Sequence, residues 1–207
     1  MTIQTMQVGP IMTNCYLLCD EDAGVCALID PGDDAEHLEQ WVAQSGCALR
    51  YILLTHGHFD HTSAVRPLLE KHPEVPVYIQ EKDSVDGRGG ELLFTRVGAE
   101  NQRYYKEGDV LTLGGLTIRV METPGHSEGS VCLLLDKERV MFSGDTLFRC
   151  SCGRCDFPGG SYPKMLTSLG RLAALEGDWR VLPGHDRETT LEGERRMNPY
   201  MRQGAAR

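Results

Sequence analysis

The chain has 207 residues, a net charge of −9, 25% charged and 41% apolar residues, the proportions of an ordinary globular chain that forms one domain over 1–207 with a sizeable core. The acidic balance and the absence of a Lys/Arg-rich block argue against nucleic acid as a main partner. No apolar run approaches the roughly 20 residues that span a bilayer, and Met1-Thr2-Ile3-Gln4-Thr5 lacks the basic and apolar segments of a signal peptide, so a cytoplasmic protein without a membrane partner is expected.

From the N-terminus, Ile3 to Val8, Asn14 to Cys19 and Val25 to Ile29 read as strands of an antiparallel meander, with turns at Gly9-Pro10 and Asp20 to Gly24. Asp33 or Asp34 is placed to cap a helix running to about Gly46, with Leu38, Trp41 and Val42 as its apolar stripe. Asp30 ends the third strand. It is either a carboxylate that orients a histidine or a plain turn residue before Pro31-Gly32.

The strand Tyr51 to Leu54 runs into Thr55-His56-Gly57-His58-Phe59-Asp60-His61. Neutral imidazoles and carboxylates suit zinc, iron, manganese or cobalt. In an extended segment His56, His58 and Asp60 project to one side and His61 to another, which favours two adjacent metal pockets over one. Thr62 to Lys71 fits a helix ended by His72-Pro73, with His72 and His37 exposed. Val75 to Ile79 is a strand, and 81–98 is weakly helical or irregular.

The second half repeats the logic. Asp109 to Leu113 and Leu116 to Glu122 pair across Gly114-Gly115, and His126 follows. Ser130 to Leu135 and Arg139 to Phe142 form another hairpin, after which comes Asp145. A loop leads to a helix from Pro163 to Glu176. The strand Arg180 to Leu182 leads to His185, and a short helix spans about Thr190 to Met197. Two sheets packed face to face with helices outside are expected. Four strand ends carry His56, His58, Asp60 and His61, then His126, Asp145 and His185. Five His and two Asp are the set that two ions need if one carboxylate bridges them.

Thr-His-x-His-x-Asp-His, Pro-Gly-His126, Ser-Gly-Asp145 and Pro-Gly-His185, in this order, resemble the metallo-β-lactamase superfamily. Gly144-Asp145-Thr146-Leu147-Phe148, Gly153-Arg154 and Asp156-Phe157-Pro158-Gly159-Gly160 resemble its compact bacterial glyoxalase II-like, or hydroxyacylglutathione hydrolase-like, group. The resemblance implies an α+β fold, the αββα sandwich of two mixed sheets flanked by helices. It implies that His56, His58 and His126 hold one divalent ion, that Asp60, His61 and His185 hold another, and that Asp145 bridges them. Zinc is the first expectation, with iron or manganese as alternatives.

The implied activity is hydrolysis of a small thioester such as S-lactoylglutathione by metal-activated water, with Asp60 and Asp145 in the catalytic set, by a monomer or small homo-oligomer. Asp145 stands where β-lactamases commonly have Cys, so antibiotic hydrolysis is not expected. Arg154 stands where glyoxalase II has a Lys, and is either a contact for a substrate carboxylate or a surface residue. Asp156 replaces a Tyr and departs from the pattern. Only 22 residues, Asp186 to Arg207, follow the last ligand, and one short helix is expected there in place of a glutathione-covering domain.

Three other readings stand beside the thioesterase. A persulfide dioxygenase with one iron would not need Asp60 and His185. A lactonase would share the full ligand set, and a non-catalytic metal-binding module is the third. Of the cysteines, Cys15, Cys19, Cys26, Cys47 and Cys132 read as small buried hydrophobes. Cys150-x-Cys152-x-x-Cys155 is either a further metal or redox site or a set of reduced loop thiols.

Overall fold

The computed structural model describes residues 1–85, 94–95 and 100–206. In chain order these residues form β1 (Thr2–Val8), β2 (Thr13–Asp20), β3 (Val25–Ile29), α1 (Ala35–Ser45), β4 (Ala48–Leu53), α2 (Phe59–Thr62), α3 (Val65–Lys71) and β5 (Val77–Gln80). A 3-10 turn at Glu81–Asp83 leads to β6 (Ser84–Val85), followed by β7 (Phe94–Thr95), β8 (Gln102–Tyr105), β9 (Val110–Leu113) and β10 (Leu116–Glu122). Next come β11 (Val131–Leu135), β12 (Val140–Gly144), β13 (Leu147–Phe148), β14 (Ser151–Cys152) and α4 (Tyr162–Ala173). The last elements are β15 (Arg180–Pro183), β16 (Thr189–Thr190), α5 (Leu191–Met197) and α6 (Pro199–Ala205).

The larger strands build two six-stranded sheets, in the orders β1-β2-β3-β4-β5-β8 and β16-β15-β12-β11-β10-β9. Both are mixed. The first is antiparallel through β1, β2 and β3 and parallel from β3 to β8. The second is antiparallel except where β12 runs parallel to β15.

Period-two alternation sorts the side chains into layers. From β2, Cys15, Leu17 and Cys19 join a core with Leu38 and Val42 of α1 and Val65 and Leu68 of α3, while Tyr16 and Leu18 face the other sheet. From β11, Val131, Leu133 and Leu135 fill the space between the sheets, and Cys132 and Leu134 pack under α4 and α6 with Met165, Leu169 and Met201. Three apolar layers therefore separate four structural layers, helices outside and sheets inside. This is the αββα sandwich, and it explains why the central strands are continuous apolar runs: both faces are buried.

Several elements differ from expectation. Asp34 is the N-cap residue of α1 but caps nothing with its side chain; its φ is 56°. Its carboxylate accepts from Gly9 N at 3.1 Å, and Asp33 Oδ1 accepts from Asp34 N at 2.8 Å. His72 is half-buried, because its ring lies 2.7 Å from Glu39 Oε2. The loop after Asp145 contains the small β13–β14 ladder. Most of 86–98, part of the stretch read as weakly helical, lies outside the described residues.

The C-terminal segment forms two helices, not one. Asn198 ends α5 and caps α6, accepting from Tyr200 N and Met201 N, and Pro199 sits in the first turn, where a missing N–H costs nothing. α6 then crosses α4 where Gly170 meets Gly204. A Cβ on Gly170 would lie 2.6 Å from the Gly204 carbonyl oxygen.

That close approach makes Gly170→Ala a test of the packing. Alanine favours an isolated helix by about 1 kcal/mol, but here its methyl group meets backbone. We expect a net loss of about 1–3 kcal/mol, as for other overpacked sites, read as a lowered denaturant midpoint with an unchanged slope.

Candidate metal centre

β4 delivers the first ligands to one edge of the sandwich. The extended backbone continues only to His58, which has φ −68° and ψ 148° and is the N-cap position of α2. From Phe59 the chain is helical, with Thr62 Oγ1 donating to His58 O at 3.1 Å. The expected alternation of His56, His58 and Asp60 therefore fails at Asp60. The helical turn sends Asp60 and His61 together toward a second group of ligands. His126 arrives from the loop after β10, Asp145 from the end of β12 and His185 from the end of β15.

The seven side chains converge. Ligand atoms of His56, His58 and His126 lie within 4.8 Å of one another, as do those of His56, His61 and Asp145, and those of Asp60, His61 and His185. His58 Nδ1 is 2.8 Å from His126 Nε2. His61 Nε2 is 3.3 Å from Asp60 Oδ2, and His185 Nε2 is 3.2 Å from the same oxygen. Asp145 faces both sets. Its Oδ1 lies 3.4 Å from His61 Nε2, and its Oδ2 lies 3.3 Å from His126 Nε2 and 3.6 Å from His185 Nε2. Gly184 permits this approach, since a Cβ there would collide with Asp145 Oδ1 and come within 2.6 Å of His61 Cε1.

Hydrogen bonds behind the ligands fix which atoms face inward. His126 Nδ1 is 2.7 Å from the Arg154 carbonyl oxygen, which can only accept. Nδ1 must then carry the proton, leaving a lone pair on Nε2. His61 Nδ1 is 2.9 Å from Asp30 Oδ2, which orients its Nε2 in the same way. Asp30 is buried, has φ 53°, and also accepts from Thr55 N and Thr55 Oγ1, both at 2.7 Å. Thr13 Oγ1 donates to Asp60 Oδ2 at 3.0 Å.

Asp83 was not anticipated from the sequence. It is 1% exposed and accepts from Gly57 N at 3.0 Å, Ser127 Oγ at 2.5 Å and Gly129 N at 2.7 Å. One carboxylate thus ties the His56–His58 loop to the loop that carries His126.

The donor set fits divalent cations. His56 Nε2, His61 Nε2 and Asp145 Oδ1 are buried and make no hydrogen bond, an arrangement that is costly unless a cation takes their lone pairs. The electrostatics agree. Burial, then His61, pushes His56 well below its ordinary range, and burial, then His126, brings His58 down to about 4. Burial opposes charge on Asp60 and Asp145, yet the surrounding histidines hold both carboxyls below their ordinary range. His56 and His58 are thereby held neutral and both carboxylates ionised, the forms that bind metal.

A cleft of about 390 Å³ opens over the cluster, lined by Asp60, Asp145 and the ligand histidines 58, 126 and 185 together with Ile11, Phe59, Phe148, Phe157 and Arg154. Arg154 reaches its rim, but its Nε and Nη2 each donate to Asp156 at 2.7 Å. The carboxylate it holds in this structure belongs to the chain itself. The cysteine cluster does not converge on a site: Cys150 is exposed, Cys152 and Cys155 pack against the core under α4, and none of the described ligand groups includes a cysteine. Burial pushes the Cys152 thiol up to about 12. His37 is exposed on α1.

A family model described as the metallo-β-lactamase superfamily matches residues 8–185, and the chain belongs to that superfamily. The hydroxyacylglutathione hydrolase GloC of Haemophilus influenzae is 32% identical over 217 aligned residues, covering 97% of this chain and 98% of that one. Among solved structures, the B3 metallo-β-lactamase BLEG-1 is similar with a TM-score of 0.84 and 35% identity, covering 97% of this chain and 99% of that one. TTHA1623, in a di-iron-bound form, is similar with a TM-score of 0.81 and 37% identity, covering 95% of this chain and 99% of that one. Kinship alone therefore leaves both a hydroxyacylglutathione hydrolase and a β-lactamase among the relatives.

If Asp83 holds the two ligand loops in register, Asp83→Ala should weaken divalent-metal affinity about 10- to 100-fold, the usual cost of losing a group behind the ligands. Metal titration of the variant, with far-ultraviolet circular dichroism to show the retained fold, checks this. Affinity equal to the parent would mean that the loops hold their spacing without it.

Proposed function

We propose that the chain is a dinuclear metal-dependent hydrolase of small thioesters. The observation that carries the reading is the complete second ligand set. Asp60, His61 and His185 sit around shared oxygens, and Asp145 lies between the sets, its Oδ1 near His61 and its Oδ2 near both His126 and His185. A one-metal oxidation site of the persulfide dioxygenase kind has no use for Asp60 and His185. Here Asp60 is further held by Thr13 Oγ1, which supports a built second site. The kinship with GloC supports a thioester as substrate.

His56, His58 and His126 would hold one ion, Asp60, His61 and His185 the other, and Asp145 would span both. Zinc suits this mixture of imidazole and carboxylate, and iron and manganese suit it too. Bound there, such ions lower the pKa of water and polarise an acyl carbonyl. The chain supplies the rest. Asp30, Thr55, Thr13, Asp83 and the Arg154 carbonyl keep the ligand side chains from reorganising during turnover, which is where preorganised sites gain most. The apolar cleft walls exclude bulk water from the acyl group. In the overall reaction a bond forms from a water oxygen to the acyl carbon and the acyl C–S bond breaks. The carboxylic acid product ionises, and the sulfur departs as thiol or thiolate.

The test joins metal quantification to turnover. The parent should carry close to two divalent ions per chain and hydrolyse S-lactoylglutathione or simpler thioesters, with weak action on a chromogenic cephalosporin and no oxygen uptake with a persulfide. Asp60→Ala and His185→Ala should each lose about one ion and lower hydrolysis roughly a thousandfold, equivalent to several kcal/mol of charge stabilisation. Full activity with one ion in either variant would sink the dinuclear reading. A cephalosporin preferred over every thioester would replace thioester hydrolysis with β-lactam hydrolysis.

A further inference from the structure

The walls of the cleft are more apolar than a short hydroxyacyl group on a charged peptide thiol requires. Phe157 packs edge-on against His58 at 5.8 Å between ring centroids, and Phe148 packs edge-on against His185 at 6.0 Å. One phenyl ring therefore borders each ligand set. Ile11, in the turn between β1 and β2, and Phe59, at the start of α2, add to the wall and are 51% and 48% exposed. Large apolar side chains left half exposed around a concave reactive site mark a surface stabilised by being covered.

The charge of the rim points the same way. Among the described residues that line the cleft, Arg154 is the only Lys or Arg. Asp156 takes two of its donors, and its guanidinium carbon lies 4.0 Å from the Phe157 ring centroid. One edge of the guanidinium is thus engaged by a carboxylate, one face lies on a phenyl ring, and the pair is close to neutral. A glutathione thioester brings two carboxylates to this rim and meets no unpaired Lys or Arg among these residues. An uncharged thioester loses nothing there and gains from the phenyl walls.

Resting on the hydrolase reading above, we infer that the preferred substrate is a thioester of an uncharged thiol with an apolar acyl chain, and that Asp156 sets this selectivity by holding Arg154 away from anionic substrates. The ligand bed would accept any thioester carbonyl. The rim decides which one dwells long enough to react, because remote contacts supply binding energy that the reacting centre cannot.

The experiment uses the metal-loaded protein and N-acetylcysteamine thioesters from acetyl to octanoyl, with S-lactoylglutathione alongside. The expected result is a rise in kcat/KM of about two- to fourfold per added methylene, up to the value for full burial of a CH₂ group, with the longer acyl chains exceeding S-lactoylglutathione. Ile11→Ser should flatten that slope. Asp156→Ala should raise kcat/KM for S-lactoylglutathione by about two- to fivefold through KM, the scale of an exposed ion pair, and so shift the ratio of S-lactoylglutathione to octanoyl turnover toward the anionic substrate. Calorimetric binding of the non-hydrolysable octyl thioether of N-acetylcysteamine, tighter than S-methylglutathione, gives the same ranking without turnover. A flat acyl series with S-lactoylglutathione best would overturn this inference while leaving the thioesterase reading standing. Failure of metal-replete protein to turn over any thioester would sink both.

Discussion

Five imidazoles and two carboxylates drawn into one largely buried space lose their hydration and, in part, repel one another. Everything around them serves to keep that arrangement. Burial disfavours charge on each group. The chain answers by mixing signs: Asp145 faces His61, His126 and His185, and Asp60 faces His61 and His185. Burial opposes protonation of His61, but Asp145 and Asp30 together raise it well above its ordinary range, whereas His56, whose neighbours are mainly other imidazoles, is driven down. The signs are thus interleaved so that each carboxylate faces imidazoles from more than one element, and the buried His56 Nε2, His61 Nε2 and Asp145 Oδ1, which make no hydrogen bond, are the atoms a divalent ion would satisfy.

The fold meets this constraint by bringing its ligands to one edge from both sheets. β4 belongs to the first sheet and β10, β12 and β15 to the second, so the site exists only where the sheets are packed. Polar ties cross that seam. Asn14 Nδ2 and Tyr16 Oη, both from β2, donate to the carbonyl oxygen of Pro183 at 3.0 and 2.6 Å. They hold the end of β15, two residues before His185, against the first sheet. Asp83 closes the other side of the seam. The apolar layer between the sheets, with Phe142, Ile29 and Val131 fully buried, provides the stability against which these polar ties are set.

The sequence carried the layer architecture because central strands buried on both faces are continuous apolar runs, and it carried the candidate ligands because each strand end that bears them also bears a glycine. The parts that were not legible have no local pattern. Asp83 contacts Gly57 across 26 positions, and a carboxylate after a strand looks like any turn residue. α2 has four residues, too few for a period, so the strand-like alternation of His56, His58 and Asp60 was the natural but incorrect extension. The split between α5 and α6 was readable, since Asn198-Pro199 is a cap followed by a residue suited only to a first turn. The Arg154–Asp156 pair lies two residues apart in sequence, yet only the bend of that loop brings the two side chains face to face.

The metal-type side chains and the apolar rim occupy different depths of the same edge. The candidate ligands are mostly buried, and His61, Asp60 and His126 are held by Asp30, Thr13 and the Arg154 carbonyl, so a change there is felt through several partners at once. Ile11, Phe59, Arg154 and Asp156 are exposed, and each is attached to a turn, a helix end or a loop. Their substitution costs little packing, because water already surrounds much of each side chain. Substitution at the rim therefore leaves the packing of the buried cluster in place. A superfamily whose members include both a hydroxyacylglutathione hydrolase and a B3 β-lactamase at comparable identity to this chain is what that separation allows. On the proposed reading, the deep layer would fix what kind of bond is attacked, and the shallow layer which molecule carries it there.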